Sequence, residues 1–187
     1  MRRRKFLSSC VTGVTISAAS LSFPPMAHAG IKEGKRNINP NKLFEVAYQQ
    51  FIPGKLTCCE SILMAGCETL DVKSDLIPDI ALGLAGGIGL QGKTCGVITG
   101  CAMVLSLAIA QKEKEYPKKK MATLQAVGRI YNAFKEQTGS NECRTLCGLD
   151  LTTPEGRKIL QERVKEQTCT KFVKIGSELL AKELEKV

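Results

Sequence analysis

The chain has 187 residues, 27 Lys and Arg against 18 Asp and Glu, one histidine, nine cysteines and no tryptophan. A formal charge of +9 is modest, and three tyrosines and six phenylalanines supply little stacking surface, so no nucleic acid is expected as a partner. The run Lys118-Lys119-Lys120 reads as a solvated face.

Residues 1–29 read as a signal peptide and not as part of the fold. Arg2, Arg3, Arg4 and Lys5 form a basic start, and Val11 to Phe23 is a mildly apolar stretch interrupted by Gly13, Thr15, Ser17 and Ser20. Ala27-His28-Ala29 supplies the small-x-small cleavage pattern, with cleavage after Ala29. The order Arg3-Arg4-Lys5-Phe6-Leu7 resembles a twin-arginine export signal. A membrane span needs about 20 strongly apolar residues, so no stable span is expected after cleavage. Leu7-Ser8-Ser9-Cys10 mimics a lipidation box but precedes the apolar stretch, which is the wrong side. The expected location is the periplasm, or otherwise outside the cytoplasm.

Cleavage removes four basic residues, no acidic ones, and His28, the only histidine. Without an imidazole the remaining chain has no Ser-His or Cys-His catalytic pair, no Cys-x-x-Cys-His haem attachment and no mixed Cys/His zinc site. Its eight cysteines are Cys58, Cys59, Cys67, Cys95, Cys101, Cys143, Cys147 and Cys169. An even count in an exported chain usually means a disulfide framework. Such frameworks staple small, loop-rich chains, however, and a twin-arginine substrate folds in a reducing cytosol, a route suited to proteins that load a cofactor there.

Residues 30–41 form a polar, flexible lead-in, and residues 42–187 one helical, cysteine-rich redox domain. Pro40-Asn41 opens a helix with Leu43, Val46, Ala47 and Phe51 on one face, stopped by Pro53-Gly54. Cys59, Ile62, Leu63, Gly66, Cys67 and Leu70 recur at helical steps. Leu76 to Thr94 is a glycine-rich loop. Its Gly87-x-Gly89-x-x-Gly92 matches a dinucleotide fingerprint in letters only, with no strand before it. Cys95 to Ala110 is an apolar helix, too short to span a bilayer. Its Gly96 and Gly100 let a neighbour approach closely.

Lys112 to Lys120 reads as a charged connection containing Pro117, followed by a helix with Met121, Leu124, Val127, Tyr131 and Phe134 on one face and Gly139 at its end. Ser140 caps a short turn carrying Cys143 and Cys147. Thr153-Pro154 opens a further helix. Thr168 caps the last, with Cys169, Phe172, Val173, Gly176 and Leu180 along one side. No strand alternation stands out. The fold class is all-α: a single compact domain of five or six helices, with the glycine-rich loop before a central buried helix.

Cys58, Cys95, Cys143 and Cys169 fall at or near expected helix starts, where free N–H groups and the positive dipole end favour the thiolate. These residues also carry a resemblance. Cys58-x-x-x-Ile62-Leu63, Gly86-Gly87-x-Gly89, Gly92-x-Thr94-Cys95-Gly96-Val97-Ile98-Thr99-Gly100, Gly139-Ser140-x-x-Cys143 and Cys169 resemble the redox-active family named for its C_GCAxxG_C_C pattern. The likeness covers about Cys58 to Val173. Val97 stands where the pattern has alanine. Relatives among the split-Soret cytochromes c join a similar module to haem and an iron–sulfur cluster, but the lack of histidine means that no haem carries over.

Two chemical readings follow. In the first, Cys58, Cys95, Cys143 and Cys169 converge as ligands of an iron–sulfur cluster for electron transfer, since clusters use thiolates without histidine. In the second, thiols such as Cys143 and Cys147, with Cys59 as a further candidate, cycle between dithiol and disulfide. Cys67 and Cys101, inside apolar helical faces, read as buried hydrophobes. An acidic redox partner suits the basic surface, and a homo-oligomer stays open. Whether the chain is an enzyme is not legible.

Overall fold

Among the described residues the first helix is capped by Asn39. A computed structural model describes residues 37–187, so the expected signal peptide with Ala29, and residues 30–36 of the lead-in, lie outside the described residues. The Asn39 side chain accepts the N–H groups of Asn41 and Lys42 at 2.9 and 3.3 Å, and Pro40 takes the first position of helix α1 (Pro40–Phe51). Proline is tolerated there because that N–H has no intrahelical partner. Leu43, Ala47 and Phe51 are buried.

Helix α2 (Cys58–Leu70) is fixed at its start by a capping box. Thr57 N–H donates to the Glu60 carboxylate at 2.8 Å, and Glu60 N–H to the Thr57 hydroxyl at 3.4 Å; a cap of this kind is worth about 1 kcal/mol. It sets Cys58 at the first helical position.

The glycine-rich run then folds as a short 3₁₀ helix, Asp79–Leu84, followed by a turn in which Gly86, Gly87, Ile88, Gly89 and Leu90 all have positive φ. Such a left-handed stretch is steep for L residues, roughly 1–2 kcal/mol each. Gly87 has no alternative: a Cβ there would lie 2.4 Å from the Lys93 nitrogen.

Helix α3 (Gly96–Lys112) is the centre of the fold. It packs against α2, helix α4 (Tyr116–Thr138) and helix α7 (Thr170–Leu184), while α1 packs on α2 and α7. Glycines set the close approaches. A Cβ on Gly66 of α2 would fall 2.2 Å from Val104, one on Gly100 of α3 2.8 Å from the Cys59 carbonyl oxygen, and one on Gly176 of α7 2.1 Å from Val97. Leu63, Leu105, Ile130, Phe134 and Leu180 are fully buried between these helices, each contributing about 1.5–3 kcal/mol.

After α4 come the one-turn helix α5 (Cys143–Cys147), helix α6 (Pro154–Ile159), a π-helical stretch (Leu160–Cys169) and α7. The described residues contain no strand. The class is all-α, as expected, with seven α-helical segments instead of five or six. No helix among the described residues is long and apolar enough to cross a membrane.

Three expectations are corrected. Pro117 lies in the first turn of α4, not in a connection, for the reason that admits Pro40. The buried face of α4 is Ala126, Ile130 and Phe134; Met121, Leu124 and Tyr131 are exposed, because α3 and α7 meet the helix from the other side. Thr168 caps nothing: α6, the π stretch and α7 run on without a break, so Cys169 sits inside a continuous helical rod.

Glu183 on α7 is 6% exposed and bonded to Arg129 at 2.8 Å and to Lys186. Burial pushes its carboxyl up, but the two cations outweigh that and hold it below its ordinary 4.5. A depressed carboxylate adds stability above its unfolded value and loses it as pH falls through the folded one. With both cations half exposed, Glu183→Gln is expected to lower stability by about 1–2 kcal/mol at pH 7. It should also flatten the decline below pH about 4.5, as read by urea unfolding across pH. Ile88 is 47% exposed at φ 63°; Ile88→Asn, a residue that tolerates this conformation, should raise stability by about 1 kcal/mol in the same assay.

Candidate functional site

The site is assembled by backbone hydrogen bonds before any side chain is considered. Cys95 N–H donates to the Asn141 carbonyl at 2.8 Å, and Cys143 N–H to the Lys93 carbonyl at 2.7 Å. Arg144 N–H donates to Gly92 at 3.0 Å, and Thr94 and Glu142 form an isolated antiparallel bridge. These bonds lay the residues before α3 alongside those before α5, so Cys95 and Cys143 start their helices side by side. Asn141, 5% exposed, anchors the crossing by donating its side-chain amide to the Tyr131 carbonyl at 3.1 Å.

The first thiol pair is Cys58 and Cys95. Gly96 makes room for it, since a Cβ there would lie 2.5 Å from Cys58 Sγ. The Cys95 thiol acts directly on Cys58 and lowers its pKa against the opposing effect of burial, helped by N–H groups of Cys58, Cys59 and Gly96. Cys95 is correspondingly raised, first by Cys58 and then by burial. The second pair is Cys143 and Cys147, four apart on α5. The Cys143 thiol holds Cys147 at about 6, against burial and with help from the Leu149 N–H and the Arg144 charge. Cys143 is raised by the same contact, then by burial and by Cys58.

Cys169 reaches the site from the end of the π stretch. Burial pushes it up to about 12, with further upward contributions from Cys58 and Cys147 and opposing ones from Lys165 and Lys171. Burial pulls Lys165 down while Cys58, Cys169 and Glu60 pull it up, and its ammonium lies 4.8 Å over the Phe51 ring. Cys58, Cys143 and Cys169 are half-buried, Cys95 and Cys147 buried. All eight described cysteines are free thiols.

The Gly96 contact sets Cys58 beside the start of α3, and backbone bonds set Cys95 beside Cys143, while Cys147 and Cys169 act on this group electrostatically. The expectation of a thiolate at every helix start is corrected. In each pair one thiol is lowered by its neighbour, Cys58 by Cys95 and Cys147 by Cys143, while Cys95 and Cys143 are themselves raised. Cys169 has no free helix terminus at all. Cys59 does not face the pairs: it is fully buried, accepts the Thr99 hydroxyl at 3.4 Å and is pushed up to about 12 by burial. Cys101, whose thiol donates to the Gly176 carbonyl at 3.6 Å, and Cys67 are core residues. The contributions of Lys165 and Arg144 had no sequence signal, since neither stands in a motif.

Among the described residues no group of three or more His, Cys, Asp or Glu is gathered closely enough to hold a metal ion. The donor set is instead two close thiol pairs, with Cys169 beside them. Iron–sulfur clusters take cysteine thiolates and need no histidine, so the donor set fits such a group in kind, by its thiols alone. The cavity between α1 and α2, about 550 Å³ and lined by Val46, Met64, Glu68 and Asp71, includes none of these five thiols.

Gly96 and Gly100 separate two effects. Gly100→Ala places a methyl against the backbone of α2 and should lower stability by about 1–3 kcal/mol in urea unfolding. Gly96→Ala places its methyl 2.5 Å from the movable Cys58 thiol and 3.2 Å from the Cys59 nitrogen, a milder backbone approach than at Gly100. It should leave stability closer to wild type while slowing alkylation of Cys58 at pH 7 several-fold, read by mass spectrometry, because Cys58 then loses the contact that favours its thiolate.

No curated protein and no solved structure matches the chain. A family model described as "Putative redox-active protein (C_GCAxxG_C_C)" matches residues 56–183, from just before Cys58 to the end of α7, so the match spans every cysteine of the site. The chain belongs to this redox-active, cysteine-patterned family.

Proposed function

We propose that the chain is an exported redox protein that holds an iron–sulfur cluster through Cys58, Cys95, Cys143 and Cys169 and passes electrons through it. What supports the reading is that Gly96 lies against Cys58 Sγ next to Cys95 and that backbone hydrogen bonds lay the Cys95 and Cys143 segments side by side, with Cys169 near enough to feel the charge of Cys58. When bound, the cluster supplies a one-electron carrier whose potential follows its hydrogen bonds, net charge and exposure. The protein's part is to orient the sulfurs, to aim backbone N–H groups of Cys59 and Gly96 at Cys58 and of Val97 at Cys95, and to bring the Lys165 charge near. The half-buried sulfurs lie close to solvent. The exposed cations Lys93, Arg144 and Lys171 around them suit an acidic redox partner.

A second reading, thiol–disulfide exchange in the oxidising compartment, is favoured by one specific feature, the placement of Cys143 and Cys147 four apart on the one-turn α5. Anaerobic purification with iron and sulfide analysis and an absorption spectrum separates the two. The cluster reading expects visible charge-transfer bands and two or more irons per chain, lost in a Cys58→Ser, Cys95→Ser double variant. A colourless, iron-free protein whose thiols titrate reversibly would replace it with the second.

A further inference from the structure

Helix α4 carries a face that the fold leaves bare. Its inward side is Ala126, Ile130 and Phe134. On the outward side Pro117, Met121, Leu124, Gly128 and Tyr131 follow one another at steps of four and three residues, which lines them up along the helix. Met121 and Leu124 are more than half exposed, Tyr131 a little less, and Tyr116 at the head of the helix is two-thirds exposed. Single apolar residues on a surface are ordinary, but a continuous stripe of them marks a contact. We infer that α4 lies flat on an anionic phospholipid bilayer, with Tyr116, Met121, Leu124 and Tyr131 set into the headgroup boundary and lysines of the same helix against the phosphates. The inference goes beyond the cluster reading and does not rest on it.

The charge of the helix points to the partner. Its sequence holds five cations, Lys118, Lys119, Lys120, Arg129 and Lys135, against one carboxylate, Glu136. Lys118 and Arg129 fall on one flank of the stripe and Lys120 on the other. Arg129 is committed to Glu183, and Lys118 shares its charge with Glu115 at 2.9 Å. Among the described residues Lys119, Lys120 and Lys135 form no ion pair. The lysine run does not serve the helix itself. No acidic residue stands in the first turn, and cations there meet the positive end of the helix dipole, where they are disfavoured. An apolar stripe edged by cations, with a tyrosine towards each end, is the build of a helix that rests in the interface of an anionic bilayer. There the lysine stems lie along the acyl boundary and their ammonium groups reach the phosphates. The helix lies on the surface and does not cross it, being too short of apolar residues for a span.

A second copy of the chain is the rival for the same stripe. A Cβ built on Gly128 meets nothing within 4 Å, so a facing helix has room to seat there. Charge decides against it. Two copies of α4 would bring ten cations and two carboxylates to one narrow seam, and like charges so close repel. An anionic bilayer reverses that sign and meets the stripe along its whole length.

The chain has no tryptophan, so Leu124→Trp in the full chain puts a single reporter on the stripe. It is titrated with vesicles of phosphatidylglycerol and phosphatidylcholine in equal parts, or of phosphatidylcholine alone. Because the reporter sits on α4, binding through the basic residues 2–5 alone leaves it unmoved. A blue shift of its emission, and quenching by brominated lipid tails, are expected with the anionic vesicles only, and high salt should reverse both. Lys118→Glu, Lys119→Glu and Lys120→Glu together, which suit the helix dipole, should raise the lipid needed for half the shift at least tenfold. Met121→Ser should raise it several-fold, whereas Gly128→Ala, which a bilayer does not feel, should leave it unchanged. Tyr131→Trp serves as the reporter should Leu124→Trp lose the wild-type helical circular dichroism spectrum. No shift, an equal shift with phosphatidylcholine alone, or an unchanged titration in the lysine or Met121 variant overturns the inference. So does a lipid-free dimer in sedimentation equilibrium that Gly128→Ala disrupts, which gives the stripe to a second copy. Whether the thiols hold iron moves none of these readouts.

Discussion

Two backbone hydrogen bonds, from Cys95 to Asn141 and from Cys143 to Lys93, hold the site together. They are short, and they join segments nearly fifty residues apart in sequence. Without them the one-turn α5 would have no fixed place, because a helix of five residues is far too short to persist alone. The left-handed turn before α3 has the same dependency, since its Lys93 and Gly92 carbonyls accept from the α5 segment. Loop, bridge and short helix are therefore one cooperative unit, and the thiols inherit their positions from it.

Glycine packing supplies the second constraint. Close helix contact is needed to bring a sulfur at the start of α2 to one at the start of α3, and Gly66, Gly96 and Gly100 lie along that one interface. The seam is rigid for a simple reason: its contacts are backbone against backbone or branched side chain, with few soft side chains to yield. The seam fixes Cys58 against the start of α3, and the backbone bonds of the bridge fix Cys143 against Cys95.

Much of this was legible from residues alone. The all-α class followed from the apolar spacing in α1 and α2 and from caps such as Asn39 and Thr153. The glycine pattern around Cys95 pointed to a close approach there, and Gly96 does lie against Cys58 Sγ. What failed did so for physical reasons. Met121, Leu124 and Tyr131 form as good a stripe as Ala126, Ile130 and Phe134, and only the position of the packing helices decides which is buried. Thr168 carries the chemistry of a cap, but a cap needs a break in the helix, and the π stretch bridges it. The ionisation pattern was misjudged because a thiol's pKa depends on which sulfur lies opposite, a relation that linear order does not encode.

The π stretch has a consequence of its own. In π geometry each backbone bond closes over one more residue than in an α-helix, so Leu160–Cys169 holds slack that an ordinary helix lacks. Each residue of an α-helix turns the chain by about 100°. Cys169 directly precedes α7, so the seat of α7 against α1 and α3 fixes the bearing of that sulfur, and the slack is absorbed upstream, between α6 and Cys169. A length change in this segment is thereby tolerated at the far end of the rod without turning the thiol.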